Sequence, residues 1–431
     1  MSTGAWEHRR MRDMQRTALV LTVCLTCPTG LTRATAAAQV HPTARLKVVK
    51  TTTLWKSPDG KVGARLARFS PEGRWLAWTT SDNQVFLADL KTKKTLRPWK
   101  TGPFPATFRD LVWPAYEPIR GRAIAACLVS TADKPVRVIV IPMLRGGYDL
   151  VGGAFGAYNA AWKAEGRHLA FSTKDALCQI DLATDKAVKL LDEQKGWRPK
   201  GAPAYENLVF VGDKVAARAA GTMKWWLAEP GKKAVELAEL RGLCPDTKRK
   251  ALYAVRWKAG PVGIPRGAGI VRIDLTKPDT KPHTVVPFDH TTGKPYWLVD
   301  IFDATYPTTL RVSPDGVTLT FCGVKAGAPA KNAWREFCIW RVPSDGSAPP
   351  KVVAECGPIF KRIDVGDTHF IGWRYKIAPA VVLGDLKNGK AWRLPKDFYV
   401  QRVNTDVLVD KLLVGAARGK DVVLMQLGED K

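Results

Sequence analysis

The sequence predicts an all-β fold, a β-propeller of about eight four-stranded blades, alternatively seven. Three observations point to it. A strand-turn-strand signature recurs along most of the chain, a second hairpin motif sits upstream of several copies, and two strand-like runs near the opposite ends lack a local partner. Repeats are read first, because a missed period misassigns the whole architecture.

The signature is a β-rich run that ends in an acidic or Pro-containing turn, followed by a short strand. It appears as VFLADLKTKKTL with Asp89, RVIVIPMLRGGYDL with Pro142, LCQIDLATDKAVKLL with Asp181 and WWLAEPGKKAVEL with Glu229. It continues with Asp274, Pro343 and Asp385 and closes near Gly428 in VVLMQLGEDK. The seven intervals average about 48 residues, close to the length of a four-stranded propeller blade. Asp closes local hydrogen bonds, Gly permits positive φ and Pro presets φ, so each marker has a reason to stand at a turn. The preceding runs are rich in Val, Ile, Leu and Trp, as half-buried strands require. The interval from Asp274 to Pro343 is too long by about 20 residues and predicts inserted loops around blade six.

The upstream motif is clearest in Ala67-Arg68-Phe69-Ser70-Pro71-Glu72-Gly73-Arg74-Trp75-Leu76-Ala77-Trp78 and in Leu310 to Phe321, with Ser313-Pro314-Asp315-Gly316 at its turn. Degenerate copies span Ala161 to Phe171 and begin again at Cys244-Pro245-Asp246. This hairpin resembles the WD-repeat-like motif of TolB-type periplasmic β-propellers and of the propellers in prolyl-oligopeptidase-like proteins. No Trp is followed by Asp and no Gly-His pair opens a repeat, so the likeness is not to ordinary WD repeats. The resemblance implies six to eight blades acting as a binding platform or as a domain accessory to an enzyme.

Ring closure follows from the ends. The eighth outgoing strand has no partner after it, and Leu46 to Trp55 (LKVVKTTTLW) stands alone before the first complete blade. Pairing the two removes an exposed edge, which would otherwise template aggregation.

Residues 1–38 read as a signal peptide, leaving 39–431 as a single propeller domain. Arg9, Arg10, Arg12 and Arg16 precede the apolar run Thr17 to Cys27, and Ala36-Ala37-Ala38 supplies small residues. That run is far shorter than the roughly 20 residues of a membrane span. The expected location is therefore periplasmic or secreted, with no transmembrane helix after signal removal and a monomeric state. The formal charge of +27 falls only to +24 without residues 1–38, so the basic excess belongs to the folded part. A field of that sign attracts polyanions without naming one. Six cysteines lie beyond the signal, and Cys322 and Cys338, on neighbouring predicted strands, are the expected disulfide pair.

No catalytic motif stands out: there is no G-x-S-x-G elbow, no P-loop and no D-x-D-x-D-G loop. Histidines show neither H-x-H nor H-x-x-x-H spacing, so no metal site and no cofactor is assigned. The expected function is a non-catalytic ligand- or protein-binding module of the cell envelope, with acidic partners favoured by charge. A propeller enzyme such as a polysaccharide lyase with an axial metal is one alternative, and a structural part of an envelope assembly another. Candidate ligand-binding residues lie in loops facing the channel mouth: Trp197, Arg198, Lys258, Arg266, His290, Tyr296, Trp297, Trp334 and Arg335. Aromatics beside cations stack on sugar rings or bases while Arg and Lys hold anionic groups. The partner is thus a protein, or an acidic glycan or small molecule. Nucleic acid is disfavoured for an exported protein.

Overall fold

A computed structural model describes residues 46–70, 72–97, 107–112, 125–131, 134–141, 149–150, 159–163, 167–184, 186–194, 204–220, 222, 224–237, 240–246, 248–259, 265–277, 281–287, 310–324, 337–357, 362–374, 380–387, 389, 391–393 and 405–429. Blade two and residues 46–47, 159, 241–242, 257–259, 265–268, 324, 337, 357, 362, 373–374, 380–381, 391–393, 405 and 429 enter by their backbone alone. The chain divides into two compact units, Met1–His41 and Pro42–Lys431, and every described residue lies in the second. Among the described residues, no helix is long and apolar enough to cross a membrane.

The described strands form eight four-stranded antiparallel sheets. Blade one runs Ala64–Phe69, Trp75–Thr80, Val85–Asp89, Thr95–Leu96, and its order in space is its order in sequence. Blades two to seven repeat that meander, beginning at Thr107–Val112, Asn159–Trp162, Tyr205–Val211, Leu240–Asp246, Leu310–Val312 and Arg362–Val365. Blade eight differs. Thr405–Leu408, Leu413–Arg418 and Asp421–Glu429 supply three strands, and Leu46–Lys56 returns as the fourth. Its ladder pairs Leu46 with Glu429 and Lys56 with Asp421, so the expected closure between the two ends is the one observed.

The ring is continuous in contact. First strands of consecutive blades stand side by side from one to six, and blade six reaches the first strand of blade seven through Thr318–Val324. His369–Arg374 of blade seven lies against the turn Val409–Lys411 of blade eight, and the first strands of blades eight and one meet. The fold is therefore a closed propeller with the first strands innermost.

Its core is divided among the seams. Ala64, Phe69, Leu76 and Trp78 of blade one pack with Ala417 and Val422 of blade eight. Tyr205, Phe210 and Val215 of blade four meet Ala170, Leu177 and Leu190 of blade three. Equivalent clusters fill the seams from blade four through to blade eight. Each fully buried Leu, Val or Phe contributes about 1.5–3 kcal/mol. Trp75–Thr80 is buried at every position because a sheet inside the ring is covered on both faces. Around the closure, Trp55 of the returning strand meets Phe86 with ring centroids 5.8 Å apart, and Phe86 stacks on Trp78 at 5.6 Å. Thr95 Oγ1 donates to Leu54 O at 3.3 Å, tying blade one to that strand.

The seam arrangement corrects the expected disulfide. Cys322 pairs in the ladder with Ile339, and Cys338 with Gly323, one position away. Successive residues of a strand face opposite sides, so Cys322 enters the seam with blade seven and Cys338 the seam with blade five. The two thiols are not joined.

Candidate recognition face

A four-stranded meander puts two kinds of connection at each end of a blade. Turns joining strands one to two and three to four share one rim, here the turn face. Loops joining strands two to three, and the connections between blades, share the other, here the loop face.

The turn face is built from the repeated motifs. In blade one, Ser70 Oγ accepts the Trp75 N–H at 3.0 Å, and the Gly73 N–H reaches Ser70 O at 2.8 Å. Blade six repeats this with Ser313, Thr318 and Gly316, at 2.9 and 2.7 Å. Gly73 and Gly316 hold φ of 68° and 75°, the left-handed region that an L side chain resists. The third strands of blades one, three, five and seven close on an Asx turn: Asp89 accepts the N–H of Lys91, Asp181 that of Ala183, Asp274 that of Thr276 and Asp385 that of Lys387. Arg167 forks onto Asp181, Nε to Oδ1 at 2.8 Å and Nη2 to Oδ2 at 2.5 Å, and Arg74 approaches Asp89 at 3.5 Å. The Arg167 fork holds the Asp181 carboxyl well below its usual range.

On the same rim, polar bonds cross six consecutive seams. Lys163 of blade three binds Asp213 of blade four at 2.7 Å. Lys214 Nζ donates to Leu275 O of blade five at 3.0 Å, and Arg249 Nη1 to Ser344 Oγ of blade six at 2.8 Å. Arg311 of blade six forks onto Asp367 of blade seven. Asp410 of blade eight accepts the N–H of Asp367 at 2.9 Å and of Thr368 at 2.8 Å. Lys411 then donates to Glu72 O of blade one, and Asp406 accepts the Phe69 N–H at 2.8 Å. Exposed ion pairs are individually weak. Their consequence is geometric: the rim holds neighbouring blades in register.

Sequence reading missed this set. The two partners of each bond lie on different blades, and although Phe69, Glu72, Lys163 and Arg311 stand within the hairpin motif, nothing in that motif names their partners.

On the loop face, the connection leaving blade three is pinned at both feet. The Glu193 N–H donates to Asp175 O at 2.7 Å and the Ala204 N–H to Thr173 O at 2.8 Å. Tyr205 OH donates to Asp192 O at 2.5 Å, and burial pushes that phenol up. Beside the returning foot, Arg218, 6% exposed, pairs with Glu206 at 2.7 Å. Trp197 and Arg198 fall within this connection but outside the described residues.

Lys258 and Arg266 were expected in a loop. They stand instead in strands Ala251–Ala259 and Pro265–Asp274, as opposed ladder partners. Pairing persists beyond the register shift between Arg256 and Trp257, which lengthens this hairpin and leaves 260–264 as its connection. His290, Tyr296 and Trp297, between blades five and six, lie outside the described residues, as do Trp334 and Arg335 within blade six. By chain position the other seven candidates fall in connections between strand ends of the loop face, and Lys258 and Arg266 stand in the strands that lead to it.

Among the described residues, no group of three or more His, Cys, Asp or Glu is disposed to hold a metal. His168, His283 and His369 open strands of blades three, five and seven, none of them a first strand.

No family model matches the chain, and no curated protein is similar to it. Among solved structures, an oligogalacturonate lyase in complex with manganese is similar, at 11% identity and a TM-score of 0.48, over 89% of this chain and 98% of that one. An oligogalacturonate lyase from Vibrio parahaemolyticus aligns over the same shares at 9% identity and 0.48. The Cps50 (Swd1) β-propeller domain of Myceliophteria thermophila aligns over 89% and 100%, at 12% and 0.43. The ring architecture of this protein rests on its own strand ladders rather than on these likenesses.

Proposed function

We propose that this protein is an exported, non-catalytic propeller that binds a partner of the cell envelope on its loop face, an acidic glycan or small molecule or an acidic protein surface. The observation that carries this reading is the set of polar bonds across six consecutive seams of the turn face. They make the ring a stiff frame, and a stiff frame carrying long connections on the opposite rim suits recognition. Lys258 and Arg266, opposed in backbone register, add two basic residues to the hairpin that leads to this rim. The basic net charge acts in the same direction.

The test compares wild type with the Lys258→Glu/Arg266→Glu double variant on a glycan array, and in titrations with oligouronates at low salt. Retention by wild type and its loss in the variant, with thermal midpoints matched, is the expected result. A blank array, or equal retention by both proteins, overturns the reading. Bound metal in purified protein, together with turnover of a uronic-acid polymer, would replace it with the lyase alternative.

A further inference from the structure

The chain contains three Asp-Gly pairs, Asp59-Gly60, Asp315-Gly316 and Asp345-Gly346. Such a pair rearranges with water as its only co-reactant. The glycine nitrogen attacks the aspartate Cγ, and its proton leaves with a carboxyl hydroxyl as water, closing a five-membered imide. Water then reopens that ring at either carbonyl. Opening at the Cγ carbonyl restores aspartate; opening at the backbone carbonyl leaves an isoaspartyl link, with one more carbon in the main chain. Nothing is oxidised or reduced, and glycine brings no Cβ to obstruct the attack. The geometry around each pair then sets its rate.

The three pairs share conformation and charge state. Their glycines hold φ of 65°, 75° and 76°. Each aspartate is exposed, and its Oδ1 accepts the N–H two residues on, from Lys61, Val317 or Ser347, at 2.9 Å. Hydrogen bonds hold all three carboxyls below their usual range, led by the Lys61 N–H, the Ser313 hydroxyl and the Ser347 N–H, so ionisation does not separate them. The attacking nitrogen does. Gly316 N–H donates to Ser313 O at 2.7 Å and Gly346 N–H to Pro343 O at 3.0 Å. Gly60 N–H donates to no group among the described residues, although Gly60 and Gly346 are both half-buried. Ser57-Pro58-Asp59-Gly60 repeats the residues of Ser313-Pro314-Asp315-Gly316 without closing their turn bond. It crosses between blades instead of closing a hairpin, with Ser57 N–H on Lys420 O and Ala64 N–H on Gly419 O. The Asn-Gly pair, Asn388-Gly389, rearranges with loss of ammonia and is told apart by mass; its Gly389 N–H is held by Asp385 O at 3.0 Å, and Asn388 lies outside the described residues.

We propose that Asp59-Gly60 is a site of spontaneous isoaspartate formation in the folded protein, while turn bonds protect Asp315-Gly316 and Asp345-Gly346. Attack at a protected pair requires its turn bond to open first. The net worth of one hydrogen bond then sets a rate difference of about three- to tenfold. The position gives the reaction a consequence. Residues 57–63 are the covalent link between the closing strand Leu46–Lys56 and Ala64–Phe69 of blade one. The added carbon enters the joint of the ring, so ageing at Asp59 loosens its closure. This holds whether or not a ligand occupies the loop face.

The experiment ages purified protein at mildly acidic pH, folded in buffer and unfolded in urea. Isoaspartate at each pair is then read by peptide mass spectrometry with electron-transfer fragmentation. The expected result in the folded protein is accumulation at Asp59 about three- to tenfold faster than at Asp315 or Asp345, with the three rates converging in urea. Equal rates in the folded protein overturn the proposal. So does the same preference for Asp59 in urea, which would trace it to neighbouring side chains rather than to the fold. The consequence for closure is read with Asp59→Ser, whose hydroxyl still accepts a local N–H but forms no imide. Aged wild type should melt below fresh protein, while aged Asp59→Ser keeps its midpoint. Equal loss in both, or none in either, would overturn the link between Asp59 and ring closure.

Discussion

Arg311 of blade six and Asp367 of blade seven meet in a two-pronged fork, Nε to Oδ1 at 3.0 Å and Nη2 to Oδ2 at 2.9 Å. Arg341 Nη2 adds a bond to Asp367 O at 2.9 Å, so one residue collects two arginines of the preceding blade. Side-chain exposures of 41% and 31% keep solvent screening in force. A double-mutant cycle of Arg311→Met with Asp367→Asn, read by urea unfolding, should therefore give a coupling of about 1 kcal/mol, the upper end for exposed pairs. A coupling near zero would make the fork decoration.

Asp410 should carry part of the acid sensitivity. Burial pushes its carboxyl up, but the N–H groups of Asp367 and Thr368, the Arg311 charge and the Thr368 hydroxyl outweigh burial and hold it below 3.8. His369 N–H, at 3.2 Å, faces it as well. A carboxyl depressed in the folded state takes up protons more readily once unfolded. Its stabilisation is full above the ordinary carboxylate range and is lost as pH falls through the depressed value. The thermal midpoint should therefore drop most steeply below about pH 4, and Asp410→Asn should lower the neutral-pH midpoint while flattening that acid limb. An unchanged acid limb would remove Asp410 from the account. Some slope must persist in the variant, since Asp274 and Asp315 are also depressed, first by the hydroxyls of Thr276 and Ser313.

Ring closure depends on Leu46–Lys56. Deleting residues through Lys56 leaves Asp421–Glu429 as an unpaired edge and removes Trp55 from Phe86. Such an edge recruits strands from other molecules. The truncated protein should show concentration-dependent association in light scattering, and a synthetic peptide of residues 46–56 should suppress it. Monodisperse truncated protein of unchanged thermal midpoint would refute the role of the strand.

The thiols should be inert in the native state. Burial pushes Cys244 up to about 11, and does the same to Cys178. A reactive cysteine is a thiolate, so Ellman's reagent should modify both slowly until denaturant is added. Reductant should leave the thermal midpoint unchanged, because Cys322 and Cys338 face different seams. A midpoint lowered by reductant would reinstate a disulfide.

What was legible in the sequence was local. Ser70 to Arg74 and Ser313 to Gly316 declare their turns through residue chemistry, and seven markers from Asp89 to Asp385 fall at or just after the ends of third strands. Gly428 breaks that series because it pairs with Lys47 inside the closing ladder, where no turn is needed. Long-range relations were hidden. Nothing local to Arg311 or Asp410 says that a ring brings them to 3.5 Å. A ladder offset of one position separated Cys322 from Cys338, and spacing cannot reveal such an offset. Lys258 and Arg266 looked like loop residues because Gly and Pro flank them, yet the ladder extends through both.

Gly384 tests how tightly a blade is packed. It is the ladder partner of Phe370 in blade seven, and a Cβ added there would fall within the Phe370 ring. Its φ lies outside the left-handed region, so glycine is required for space rather than for conformation. Phe370 is fully buried in the seam with blade six and cannot swing into solvent. Gly384→Ala should therefore cost about 1–3 kcal/mol by overpacking. Gly419→Ala, with φ of 55° and open space around its Cβ, should cost about 1 kcal/mol from backbone strain alone. Adding Phe370→Leu should relieve part of the first loss and none of the second, as measured by urea midpoints. If Gly384→Ala proved neutral, the ring would have to shift within its seam, and the seam could not be the rigid unit on which the frame depends.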